Sequence, residues 1–295
     1  MTDRNWIARR RTALRLALLA ALAAAAVAAP LGPTGGDPAA RAAGHEPKVH
    51  VARGLPYAPG AETVLDVYRT RRRGPAPAVL VVHGGGWRYG DKGRMARIAR
   101  AFAHAGFVAF NMNYTLATAA RPGFATQPRE LRTAVRWIRR NAVRLRVDPA
   151  RIGALGSSAG AHLVGLLAVQ GGGPLVARSR IGAAVTWSAP FDLELVSPAL
   201  RPPAESFLGC AIESCAERTA AASPVTHVSA GDPPMLLVHS EHEFIRVEHA
   251  HAMAARLVAE GVPHRLWILP GWAHGTDYAR TALDRSIAFL HRQLD

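Results

Sequence analysis

Short apolar runs that alternate with segments of helical periodicity constrain the fold of this chain most strongly. The runs lie at residues 78–82, 107–111, 151–155, 182–188, 235–239 and 265–269. The helical segments lie at 94–105, 129–145, 161–168, 248–260 and 277–294. Continuous apolar strands separated by helices are typical of a mostly parallel sheet that helices cover on both faces. An alternating segment at 63–68 adds a predicted antiparallel strand, so the sequence predicts one large α/β domain.

A glycine-flanked serine follows one of these runs. The motif Gly-x-Ser-x-Gly occupies residues 156–160, between the run at 151–155 and the predicted helix at 161–168. Small residues on both sides of Ser158 would let the chain bend sharply and expose the hydroxyl. The N-terminus of the helix would place N–H groups beside any negative charge that develops there. By itself the motif also fits a plain tight turn.

Two glycine-rich motifs strengthen the prediction that Ser158 is catalytic. His-Gly-Gly-Gly-Trp occupies 83–87 and Pro-Gly-Trp-Ala-His-Gly occupies 270–275, each directly after an apolar run. In a parallel sheet such loops meet at the carboxyl ends of the strands, where ligands bind. A serine hydroxyl needs a base to become an effective nucleophile, and the sequence predicts His274 as that base for Ser158.

The glycine loop has a separate predicted task. Attack on a carbonyl group creates an oxyanion, which prepared N–H donors stabilise. Gly85 and Gly86 can turn their N–H groups inward because no Cβ blocks them. The N–H of Ala159, the first residue after the serine, is the other predicted donor.

The carboxylate that would orient the histidine is less clearly marked, because the expected aspartate is missing. Glu243, in the loop after the run at 235–239, is the predicted acid. Glu241 is the second candidate and Asp192 is the third. Asp277 lies too close in sequence to the histidine, and Asp232 precedes its strand.

Composition and charge restrict the partners. The formal net charge is +15, but the arginines are scattered and no nucleic-acid-binding motif is present, so no nucleic acid partner is predicted. The residues His242, His249 and His251 lack the spacing of a zinc-binding helix. The sequence therefore predicts neither a metal nor another cofactor.

The N-terminal residues are typical of an export signal. Arginines at 9–11 precede an uncharged, Leu- and Ala-rich stretch at 16–29, which is short for a membrane span. We therefore predict a signal peptide of ordinary or twin-arginine type, or an uncleaved anchor, over 1–29, and a disordered linker over 30–47. The catalytic domain would occupy 48–295, with no stable membrane partner unless the anchor remains.

A segment at 189–232 lacks strand periodicity and predicts a small cap over the site. It contains Cys210 and Cys215, the two cysteines of the chain. In an exported protein a disulfide between them is expected, since a redox or metal pair would need a C-x-x-C spacing or further ligands.

Together these motifs resemble the α/β-hydrolase superfamily, in particular secreted bacterial carboxylesterases with an HGGGW loop. That group is close to hormone-sensitive-lipase-like esterases and to feruloyl and acetylxylan esterases. The resemblance runs from about residue 48 to the C-terminus. Besides the three motifs it includes Asn113-Tyr114, Asp148-Pro149 and the segment at 222–226.

The resemblance implies Ser158 as nucleophile, His274 as base and Glu243 as acid, where the family usually has aspartate. It also implies the three oxyanion donors named above. The function that follows is a secreted serine carboxylesterase that cleaves short acyl esters, such as acetyl or feruloyl groups on polysaccharides. An amide hydrolase of the formamidase or peptidase kind, and a non-catalytic binding protein, are the alternatives left open.

Overall fold

The computed structural model describes residues 47–170 and 179–295. The predicted signal or anchor at 1–29 lies outside these residues, as does all of the predicted linker except residue 47, so both stay predictions. Within the described ranges, no helix combines the length and the apolar character that a membrane crossing requires.

One sheet organises the described part of the chain. Its strands are β1 His50–Pro56, β2 Val64–Arg69, β3 Ala76–Val82, β4 Val108–Met112, β5 Val147–Ser157, β6 Ala183–Trp187, β7 Met235–Ser240 and β8 His264–Leu269. Their spatial order is β1-β2-β4-β3-β5-β6-β7-β8. β2 is antiparallel to both of its neighbours, and every later pairing is parallel. The predicted mostly parallel sheet with an early antiparallel strand is confirmed, whereas β1 was not predicted.

Helices connect the parallel strands. They are α1 Ala96–His104, α2 Gln127–Arg140, α3 Ala142–Leu145, α4 Ala159–Val169, α5 Arg201–Leu208, α6 Ala216–Ala222, α7 Glu248–Ala259 and α8 Ala279–Leu294. The prediction of one continuous helix over 129–145 is wrong. The helix breaks at Asn141, whose side-chain amide donates to the carbonyl of Trp137 at 2.9 Å, and α3 ends at the left-handed Arg146.

The core lies on both sides of the sheet. In β3, Leu80 and Val82 belong to the apolar cluster that includes residues of α2, α4 and α7, whereas Val79 and Val81 belong to the cluster with α1 and α8. Successive strand residues point to opposite faces, so a strand covered twice must be apolar throughout. This is the physical reason for the uninterrupted apolar runs.

The segment at 189–232 connects β6 to β7 and contains α5 and α6. The predicted disulfide between Cys210 and Cys215 is present in it. The ring of Phe207 stacks on Trp87 with 5.0 Å between ring centroids. Pro203 lies beside Gly86, with its Cβ 3.2 Å from the position that a Cβ on that glycine would take. The segment therefore packs against the glycine loop.

Candidate active site

Ser158 occupies a strained turn between β5 and α4. Its backbone has φ 55° and ψ −123°, and its N–H donates to the carbonyl of Trp187 at 2.7 Å. A Cβ on Gly156 would lie 2.3 Å from the carbonyl oxygen of Gly160, and one on Gly160 would lie 2.3 Å from that of His83. Both flanking glycines are thus required by close backbone contacts, and the serine turn packs directly against the loop after β3.

Two residues of the glycine loop after β3 have positive φ angles. Gly85 and Gly86 have φ of 128° and 56°, and the N–H of Tyr89 donates to the carbonyl of Gly85 at 2.9 Å. In the described ranges, the N–H groups of Gly85, Gly86 and Ala159 donate to no other residue. Gly85 and Gly86 line the same cavity as Ser158, whereas Ala159 is almost completely buried.

His83, the first residue of the loop motif, has a packing role. Its ring stacks on Tyr114 with centroids 4.3 Å apart, and the Tyr114 hydroxyl donates to the carbonyl of His83 at 3.1 Å. Burial lowers the pKa of His83 to about 4, so the ring is neutral near pH 7. The contact therefore links the motif at 83–87 to Tyr114 of the Asn113-Tyr114 pair.

His274 and Glu243 form the acid–imidazole pair of the site. A hydrogen bond joins Nδ1 of His274 to Oε2 of Glu243. The Glu243 side chain is fully buried, and that of His274 is 24% exposed. A carboxylate at Nδ1 holds the proton there, which leaves Nε2 as the atom that can accept a proton. The structure therefore brings together the predicted base and the first-choice acid.

The other acid candidates lie elsewhere. Glu241 is half exposed and its carboxylate is 3.8 Å from Nε2 of His242. Asp192 accepts a hydrogen bond from a backbone N–H two residues later. The carboxylate of Asp277 accepts from the backbone N–H of His274 at 3.4 Å and makes no hydrogen bond to the imidazole ring in the described structure.

Sequence reasoning missed the residues that hold the acid. Oε1 of Glu243 accepts hydrogen bonds from the hydroxyl of Ser188 at 2.9 Å, the hydroxyl of Tyr278 at 2.6 Å and the N–H of Ser240 at 3.2 Å. The N–H of Gly275 in turn donates to the Ser188 hydroxyl at 2.8 Å. The position of Ser188 just after β6 was the only available signal, and it is a weak one.

The surroundings of Glu243 lower the pKa of its carboxyl group. Burial opposes the charged form of Glu243, but hydrogen bonds from His274 and Tyr278, with His239 at 3.4 Å, outweigh it and lower its pKa. Burial and the hydrogen bond to Glu243 raise the pKa of Tyr278 well above its ordinary value. The phenol therefore stays protonated as a donor to the carboxylate.

Ser158 and His274 line the same cavity, which has a volume of about 220 Å³. Its wall also contains the glycine loop and Phe244. A Cβ on Gly275 would lie 4.0 Å from Cβ of Ser158, so the histidine loop passes directly beside the serine. A nucleophile, an oriented base and free N–H donors around one cavity can together perform acyl transfer.

A parallel sheet whose central strand turns into a helix through a serine at positive φ defines the α/β-hydrolase fold. The predicted fold class is therefore confirmed. Residues 65–257 match the family model described as BD-FAE, and this chain belongs to the BD-FAE family. The matched range contains Ser158 and Glu243 and ends before His274.

The chain is also similar to named mycobacterial proteins. It is 27% identical to Esterase LipQ of Mycobacterium tuberculosis over 79% of this chain and 59% of the relative. It is 28% identical to Esterase LipC of the same organism over 81% of this chain and 63% of the relative. The chain thus spans about three fifths of the length of these curated relatives.

Solved structures share the fold. A truncated carbohydrate esterase from gut microbiota superposes with a TM-score of 0.75 at 20% identity, over 84% of this chain and 98% of the other. A propionate-bound thermophilic esterase, Est2 of Thermogutta terrifontis, superposes with a TM-score of 0.65 at 24% identity, over 84% and 94%. At this level of identity the likeness concerns the fold.

Replacing Tyr278 with phenylalanine should destabilise the protein in a pH-dependent way. The change removes a donor to Glu243 but keeps the ring that packs against Trp187. A carboxyl group whose pKa is lowered on folding adds stability above its unfolded pKa, about 4.3, and loses it as pH falls through the folded pKa. We expect a loss of about 2 kcal/mol at pH 7 that shrinks below about pH 4, measured by urea unfolding.

The matched control is Tyr114→Phe, which removes a buried hydroxyl that donates to a main-chain carbonyl instead of a carboxylate. Its loss of stability should stay constant over the same pH range. Parallel pH profiles for the two variants would contradict the assigned role of Tyr278.

Proposed function

We propose that this protein is an exported serine carboxylesterase that hydrolyses short acyl esters through an acyl-enzyme. The observation that carries the proposal is the buried Glu243–His274 pair at the cavity that Ser158 lines. Membership of the BD-FAE family and the esterase names of the relatives support the same reaction.

In the first half of the reaction, the Ser158 hydroxyl attacks the ester carbonyl carbon while Nε2 of His274 accepts its proton. Glu243 stabilises the imidazolium that forms, because its carboxylate is ionised and in contact with Nδ1. The oxyanion of the tetrahedral intermediate accepts hydrogen bonds from the N–H groups of the glycine loop and Ala159. Collapse breaks the bond to the alcohol oxygen, which takes the proton from His274 and leaves.

In the second half, a water molecule attacks the acyl-enzyme carbonyl. His274 accepts a proton from the water and returns it to the Ser158 oxygen as the new tetrahedral intermediate collapses. The products are a carboxylic acid and the regenerated enzyme.

Ser158→Ala and Glu243→Gln should each abolish most of the hydrolysis of 4-nitrophenyl acetate. The first removes the nucleophile, and the second leaves the imidazolium without its buried counter-charge. By comparison with other triad enzymes, we expect kcat to fall by about 10⁴-fold or more for Ser158→Ala and about 10³- to 10⁴-fold for Glu243→Gln. Steady-state kinetics on purified protein provide the measurement.

Neighbouring groups of the same chemistry serve as controls. Ser157→Ala, Glu241→Gln and Asp192→Asn should keep kcat within about tenfold of the wild type. A fluorophosphonate probe should label the wild type and Ser157→Ala but not Ser158→Ala. Retained labelling of Ser158→Ala would refute Ser158 as the nucleophile. A wild type with neither labelling nor turnover would refute the serine esterase and favour a binding protein.

We propose that the acyl group is short and that the alcohol is a polysaccharide. A cavity of about 220 Å³ is smaller than the 300 Å³ or more that drug-sized ligands occupy, so acetyl fits better than feruloyl. Tyr89, Phe244 and Trp272 expose aromatic rings on the loops that carry the site, and Trp272 is 77% exposed. Such rings offer flat apolar faces to sugar units.

Trp272→Ala should separate polymer binding from chemistry. We expect kcat/KM on acetylated xylan to fall about tenfold, as loss of one aromatic contact predicts, while 4-nitrophenyl acetate is cleaved as before. Val258→Ala, which truncates another exposed apolar side chain, should change neither rate. Equal losses of kcat/KM on both substrates would contradict a role of Trp272 in polysaccharide binding.

Export is the remaining part of the proposal. It is supported by the arginines and apolar stretch at 9–29 and by the disulfide, which persists in oxidising compartments. In a host that expresses the full chain, the fluorophosphonate label should appear in the envelope or medium fractions. Label restricted to the cytoplasmic fraction would overturn this part alone.

A further inference from the structure

A cationic side chain shares the cavity with the nucleophile. Arg94, which lies in the 3₁₀ turn Lys92–Met95 before α1, lines the same wall as Ser158 and His274. No carboxylate belongs to the described lining of this cavity. An arginine stays protonated in proteins, so the cavity carries a permanent positive charge.

This guanidinium has no acidic partner in the described ranges. No carboxylate oxygen of residues 47–170 or 179–295 lies within 4.0 Å of it. The nearby Asp91 instead accepts from the N–H of Gly93 at 2.5 Å, as the cap of the turn. Lys92, in the same turn, is paired with Asp66 at 3.2 Å. Arg94 is thus the cation of this turn that is left for an external anion.

The glycine loop positions the arginine. A Cβ on Gly90 would lie 3.6 Å from Cδ of Arg94 and 2.7 Å from the carbonyl oxygen of Gly84. The aliphatic stem of Arg94 therefore lies beside Gly90, which closes the glycine loop, and the side chain forms part of the cavity wall. A long side chain supported in this way loses less conformational freedom when it binds a ligand.

We infer that Arg94 is a specificity-determining residue and that the preferred esters carry a carboxylate close to the scissile bond. A guanidinium can bind a carboxylate through two parallel hydrogen bonds, an arrangement that a neutral group does not reproduce. The carboxylate could belong to the alcohol, as in a uronic acid unit, or to the acyl group, as in a half-ester of a dicarboxylic acid. This inference rests on the proposed esterase function.

Two matched substrate pairs test it. The pair 3-acetoxybenzoate and 3-acetoxybenzamide places the carboxylate, or its neutral counterpart, on the alcohol. The pair monoethyl succinate and ethyl succinamate places it on a short acyl group. The measured quantity is the ratio of kcat/KM for the anionic ester to that for the neutral one, in wild type, Arg94→Gln, Arg94→Lys and Arg97→Gln.

For at least one pair, Arg94→Gln should lower this ratio about fivefold, a size that allows for solvent screening of an exposed charge. Arg94→Lys should retain part of the selectivity, and Arg97→Gln, on α1 and outside the cavity lining, all of it. Added salt should lower the wild-type ratio but not that of Arg94→Gln. Arg97→Gln should cleave the neutral esters as the wild type does, and the ratio cancels any general change of activity in the two Arg94 variants.

The substrate pair whose ratio falls in Arg94→Gln identifies whether the alcohol or the acyl group of the preferred ester carries the charge. Unchanged ratios for both pairs in Arg94→Gln, with neutral esters still cleaved, would overturn the role of Arg94 and leave the esterase proposal intact. Failure of the wild type to cleave any ester, including phenyl acetate, would overturn both.

Discussion

The buried carboxylate of Glu243 is the group on which the geometry of the site depends. An ionised carboxylate without solvent contact is costly unless hydrogen-bond donors surround it. Those donors come from three separate strand ends: Ser188 after β6, Ser240 at the end of β7, and His274 with Tyr278 after β8. The charge that contacts the imidazole therefore also fixes the relative positions of the loops that surround it.

A second constraint lies between β3 and β5, where backbone meets backbone. Val82 is in register with Gly156, so the glycine loop and the serine turn leave the sheet side by side. Gly160 then approaches the carbonyl of His83 so closely that a Cβ would be 2.3 Å from its oxygen. Side chains are excluded from this contact, so the glycine loop and Ser158 line one cavity.

The backbone contact between the two loops could be predicted from the sequence, whereas the hydrogen bonds around Glu243 could not. The glycines, Ser158 and His274 stand in loops that follow apolar strands, and parallel topology places such loops at one edge. Ser188 and Tyr278 could not be predicted in the same way. They meet Glu243 across 55 and 35 residues of sequence, through contacts that no local pattern records. The break at Asn141 could not be predicted for a similar reason. The apolar periodicity continues across Asn141, whereas the helical backbone conformation is interrupted there.

The sequence by itself determined the class of fold, the serine turn and the order of the reactive groups, because all three follow from local periodicity and from glycines that local geometry requires. Only the tertiary structure shows that, of Glu243, Glu241 and Asp192, it is Glu243 whose carboxylate reaches the imidazole of His274. It also placed Arg94 at the cavity. Distances between segments that are remote in sequence depend on packing and strand register. Local sequence patterns do not specify these distances.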